Sequence, residues 1–250
     1  MTASDRRFGR RLDRGRAAYL VVAAAATAAG AAHHRRLAAL TKPLPLLLLG
    51  TRIARPARTR SAIDNALLAG AVAFSTAGDR AMLLEEFADE ATEKDRHLRI
   101  GASLFAGAQL CLTAAMMRRG ARPGARGLIA RTAVLAESAT LLALLRPRLL
   151  PVLGGYGNTL ALMSATAAGM SDPQPAMRTG GLLFLASDLT IINRRHLVRN
   201  RRLAAAGEAW VLASYFTAQW LLLTGLGAAR GDEDRVSLAR PSPSGSPRVG

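Results

Sequence analysis

The chain has 250 residues, 50% hydrophobic, 20% charged and only 4% aromatic, with a net charge of +17. The charges are bunched: none falls in 17–32 or 149–171, and single charges interrupt 37–50 (Lys42), 62–78 (Asp64), 179–193 (Asp188) and 203–229 (Glu208). A soluble amphipathic helix needs a polar stripe at every turn and a disulfide scaffold needs more than the lone Cys111, so both classes are excluded, as is a single-span anchor.

A bilayer core about 30 Å thick takes roughly 20 residues of helix, and eight such spans fit this length with two tails left over. The first sixteen residues hold six arginines (Arg6, Arg7, Arg10, Arg11, Arg14, Arg16) and read as a basic N-terminal tail, 1–16. Spans follow at about 17–32, 37–51, 62–79, 98–117, 124–145, 149–170, 177–193 and 203–227. In the first, Ala29-Gly30-Ala31 has the spelling of a signal cleavage site, but the run is alanine-rich without a leucine core and reads as a span. The second is interrupted by Lys42, Pro43 and Pro45, and the fifth carries Arg126, Arg131 and Glu137. All are expected to be helices, because lipid offers no partners to an open sheet edge. The predicted fold is all-α: a polytopic membrane domain of about eight transmembrane helices over 17–228. The polar remainder, 229–250, has too little apolar content to fold and is expected to be disordered.

Lysine and arginine counts in the connecting segments favour a cytoplasmic N-terminus, 19 against 13, with the C-terminus on the same side. The expected location is the cell (inner) membrane. Arginine clusters between apolar runs suit anionic headgroups, and without a basic face bearing stacking aromatics no nucleic-acid partner is expected. The stretch Glu85–Asp95 reads as an acidic loop, and His33, His34, His97 and His196 all read as loop residues with no metal-ligand spacing. Cys111 reads as a small packed hydrophobe.

A charged side chain in mid-span must face the bundle interior or water. Four positions stand out: Lys42, Asp79, Glu137 and Asp188. Asp188 lies deepest in its apolar run, and Gly181, Phe184, Ser187 and Asp188 share one helix face. There the glycines invite close approach of a neighbouring helix. In the last span Glu208, Leu212, Tyr215 and Gln219 form one polar-bearing face. Tyr156, Gly157 and Asn158 open a span without charge.

In chain order, Thr41-Lys42-Pro43-Leu44-Pro45, Ser75-Thr76-Ala77-Gly78-Asp79, Tyr156-Gly157-Asn158 with Met163, Gly180 through Asp188, and Tyr215-Phe216-Thr217-Ala218-Gln219 resemble the YhhN-like lysoplasmalogenase family. The resemblance implies eight helices and hydrolysis of the vinyl-ether bond of a lysoplasmalogen or related ether lipid, to a fatty aldehyde and a glycerophospho-head group. It implies no cofactor and no metal, with lysophospholipid and membrane lipids as partners. The family's catalytic carboxylates correspond to Asp79 and Asp188. Where the family carries a histidine in its fourth span, this chain reads Gln109.

Vinyl ethers hydrolyse by protonation of the β-carbon, and water captures the oxocarbenium ion. A carboxyl among apolar side chains favours its neutral form and can supply that proton, while a second carboxylate stabilises the cation and activates water. Asp188 is expected to be the acid and Asp79 the base, with the roles exchangeable. Lys42 is expected to bind the phosphate, and Tyr156, Asn158, Ser187, Tyr215 and Gln219 to line the substrate site. The alternative is a proton-coupled transporter or lipid-binding membrane protein using the same carboxylates.

Overall fold

The computed structural model describes residues 3–170, 175–197 and 200–228, and within them the side chains of all but 3–13, 138, 141, 145 and 192–197. The expected disordered tail, 229–250, lies outside the described residues. Among these residues there are nine α-helices and no strand: α1 (Ala3–Ala31), α2 (Arg35–Thr41), α3 (Pro43–Ala54), α4 (Ala62–Glu86), α5 (Ala91–Arg118), α6 (Ala125–Leu145), α7 (Leu150–Ala168), α8 (Pro175–Leu197) and α9 (Arg201–Gly227). The chain is an all-α membrane protein. By length and composition, five stretches are able to cross a membrane: Arg35–Ala54, Ala62–Glu86, Ala91–Arg118, Ala125–Leu144 and Arg201–Gly227.

Helices α2 and α3 are two halves of one span, separated by Lys42 alone. Pro43 and Pro45 lack the N–H groups that would bond Ala39 and Thr41, so the ladder breaks where the sequence places its lysine. The basic segment is continuous with α1, which begins at Ala3 and not after a separate tail. The connection 87–90 is short: Glu85 and Glu86 belong to α4, and Ala91 already opens α5. The expected acidic loop is therefore mostly helix, and His97 lies within α5 and His196 within α8. Charged residues leave the apolar window without leaving the helix, because the headgroup layer solvates them while the backbone keeps its own bonds.

Helix ends are set locally. Ser61 caps α4 by accepting from the Asp64 N–H at 3.1 Å, and Asn200 caps α9. Helix α5 ends in a Schellman turn, with Ala121 N–H on the Met116 carbonyl, Gly120 N–H on that of Met117, and Gly120 at φ +88°. The same turn ends α1, but there the left-handed position is held by His33 (φ +55°).

Packing neighbours trace a ring, α3–α4–α5–α7–α8–α9 and back to α3, with α1 against α9 and α3 and with α6 leaning on α7 and lightly on α8. Apolar side chains such as Leu46, Leu112, Leu160, Met163, Phe184 and Leu222 are fully buried in it. Helix α8 fits between its neighbours because of two glycines. A Cβ on Gly181 would sit 3.0 Å from Ala167 Cβ and 3.2 Å from Ser164 Cα of α7, and one on Gly180 would sit 3.0 Å from Leu222 of α9.

Candidate active site

Each helix of the ring contributes to one buried cluster. Lys42 (at the α2/α3 break), Asp79 (α4), Phe105 (α5), Tyr156 (α7), Asp188 (α8) and Tyr215 (α9) line a common cavity of about 80 Å³, room for several waters. Lys42, Asp79, Tyr156, Asp188 and Glu208 stand six to nine residues from the helix ends on the side opposite the N-terminus. At 1.5 Å per residue that is roughly 9–14 Å inside those helix ends.

The two aspartates have matching partners. The Tyr215 hydroxyl donates to Asp79 Oδ2 at 3.2 Å, and the Tyr156 hydroxyl donates to Asp188 Oδ2. Tyr215 is held edge-on between Phe105 and Phe184, with ring centroids 5.9 and 5.5 Å away. Their surroundings differ in charge. Among the described residues no cation stands within ion-pair distance of either aspartate, but Lys42 acts electrostatically on Asp79 from further off, and no cation does so on Asp188.

Lys42 does not present a free ammonium. It is 7% exposed, and its Nζ lies 3.1 Å from Glu86 Oε2 and 3.8 Å from Glu208 Oε1. The other Glu86 oxygen meets His33 Nδ1 at 3.0 Å. His33 reaches it from the left-handed turn that ends α1, a conformation that costs a non-glycine residue about 1 kcal/mol or more. A phosphate approaching Lys42 would meet two carboxylates, so this geometry offers the lysine as an internal counter-charge and not as a headgroup binder. Glu86 is the site residue that the sequence reading missed. The signal for it was the lysine itself, since a buried ammonium requires an anion and Glu85-Glu86 follows Asp79 by two helical turns.

The other expected residues fall as follows. Ser187 lines the cavity and donates to the Val211 carbonyl at 3.1 Å, tying α8 to α9. Gln219 does not line this cavity. It donates to Ser75 Oγ at 3.0 Å one turn deeper than Tyr215, and the pair is fully buried behind the site. Gln109 is also fully buried; it accepts from Thr159 at 2.5 Å. Glu137 is exposed on α6, away from the cluster. Among the described residues no three His, Cys, Asp or Glu side chains converge as a metal site.

The small cavity opens into a larger one. Tyr156, Asp188, Phe105, Met82, Glu86 and Ile191 line both, and the second measures about 650 Å³, within the usual range for ligand pockets. Its walls come from α5, α6 and α7, with apolar side chains such as Leu135, Ala139, Leu142, Leu149, Leu153 and Leu160. Asn158 lies on this chamber and not on the smaller cavity. The arrangement is a pair of carboxyls with phenol donors, room for water beside them, and an apolar chamber for a hydrocarbon chain.

Comparison with curated proteins and with solved structures returns no match. The family model described as the YhhN family matches residues 37–226, a stretch that contains Lys42, Asp79, Tyr156, Asp188 and Tyr215. With most of its length matched, this chain belongs to the YhhN family.

Proposed function

We propose that the protein is a membrane-bound ether hydrolase of the lysoplasmalogenase type, which cleaves the vinyl-ether bond of a lysophospholipid. The observation that carries this reading is the cavity shared by Asp79 and Asp188, contiguous with an apolar chamber. Membership of the YhhN family supports it.

The roles follow from the charges. Asp188, with a phenol as its partner and no cation acting on it among the described residues, is the proton donor. Asp79, the aspartate on which Lys42 acts electrostatically, is assigned the anion's role. Asp188 delivers its proton to the β-carbon of the enol ether, and the positive charge develops on the adjacent carbon and oxygen, where Asp79 stabilises it. Water adds to that carbon and gives its proton to Asp79, forming a hemiacetal. The hemiacetal then collapses: Asp188 takes the hydroxyl proton, Asp79 returns its own to the departing glycerol oxygen, and aldehyde and alcohol leave with both carboxyls reset. Lys42 acts electrostatically on Asp79 while it is itself paired with Glu86 and Glu208. The alkenyl chain occupies the chamber between α5 and α6 and reaches lipid sideways. With the N-terminus in the cytoplasm of a bacterial-type inner membrane, the site opens toward the opposite leaflet.

Purified protein in detergent tests this reading. Incubated with lysoplasmalogen in D₂O, it should release fatty aldehyde carrying one deuterium on the carbon next to the carbonyl. Release without that label, or no aldehyde at all, contradicts the mechanism.

A further inference from the structure

Since Lys42 is committed to Glu86 and Glu208, the charge that recognises a headgroup must stand elsewhere. The larger cavity supplies it. At the end of the chamber near the membrane face, Lys94 in the first turn of α5 and Arg146 just beyond α6 both line the cavity. Among the described residues Lys94 has no carboxylate within ion-pair distance. Arg146 is fixed at 2.7 Å on Asp95 through one of its terminal nitrogens. Its guanidinium carries five donors, more than that contact uses. Glu85, Glu86 and His33 line the same mouth, with Glu86 held by Lys42 and His33.

We infer that Lys94, backed by Arg146, binds the phosphodiester of a lysophospholipid whose chain lies in the chamber and whose ether carbon stands at Asp188. The distances along the helices agree with this. Lys94 stands three residues, roughly 5 Å, inside the end of α5, and Asp188 nine residues, roughly 14 Å, inside the end of α8. The difference of roughly 9 Å at 1.5 Å per residue is what an extended glycerol arm covers. The acidic neighbours suit a zwitterionic headgroup, in which the phosphate carries its own ammonium, better than a doubly charged phosphate. This inference rests on the hydrolase reading for the identity of the lipid, but its test does not use hydrolysis.

The test is binding of uncleavable saturated analogues to the full-length protein in detergent. The probes are a 1-alkyl glycerophosphoethanolamine, the matching 1-alkylglycerol, and inorganic phosphate. The native protein should hold the phosphodiester lipid about two- to fivefold more tightly than the alkylglycerol, the size expected of a half-exposed charge contact. Lys94→Met should bring that ratio close to one, and Lys94→Arg should restore it. An unchanged ratio in Lys94→Met, equal binding of both lipids by the native protein, or inorganic phosphate binding as tightly as the lipid would overturn the assignment. Failure to release aldehyde would count against the reaction alone, because no arm of this experiment reads turnover.

Discussion

Tyr156 and Asp188, 32 residues apart on adjacent antiparallel helices, are joined by a hydrogen bond from phenol to carboxylate inside the cavity. This contact engages Oδ2 of Asp188 and leaves Oδ1 outside it. Removing the hydroxyl frees the carboxyl to rotate while leaving the ring in its packing. Tyr156→Phe should therefore lower kcat for aldehyde release by about ten- to a hundredfold with little change in Tm, as expected when a proton donor loses its orientation. Steady-state kinetics with a parallel thermal melt would check it, and an unchanged kcat would remove Tyr156 from the site.

Lys42 sits between Glu86 and Glu208 with all three side chains largely out of solvent. Taking the ammonium away leaves buried carboxylates without compensation, typically a loss of about 3–5 kcal/mol. Lys42→Met should lower Tm by roughly 6–20 °C, and adding Glu86→Gln should recover part of that loss. Melting curves of the single and double variants in the same detergent decide the matter. If the double variant melts below the single, the two residues are not a compensating pair.

Gly181 has no room for a methyl group: Ala167 Cβ stands 3.0 Å and Ser164 Cα 3.2 Å from where it would go. Gly181→Ala should push α8 off α7 and cost about 1–3 kcal/mol. Asp188 is two turns further along α8 and its phenol partner is on α7, so kcat should fall together with stability. A variant with native Tm and native turnover would show that the α7–α8 spacing is not what holds the site.

The architecture was legible because a bilayer writes itself into composition. Long runs with few or no charges read as membrane-protein helices, and the isolated Asp188 in one of them must face inward. The break at Lys42 was legible too, from two prolines just after the only charge in its run. What lay beyond the sequence was depth and partnership. The apolar window of α4 ends near Asp79, yet the helix continues to Glu86. The anion that neutralises Lys42 was thus assigned to a loop. Periodicity placed Glu208, Tyr215 and Gln219 on one face, and all three do point inward. It could not show that the cavity reaches Glu208 and Tyr215 but stops short of Gln219. Lys42 was read as a phosphate ligand because one chain position carries no information about the two carboxylates that fold onto it from α4 and α9.

The central claim is that Asp79 and Asp188 act as one acid–base pair on a vinyl ether. Aldehyde release from lysoplasmalogen by purified native protein, Asp79→Asn and Asp188→Asn, all shown to be folded, tests it most directly. Each single variant should lose about a hundredfold or more, and the double variant should lose hardly more than either, because the two groups act as a unit. Native turnover in either single variant would contradict the account.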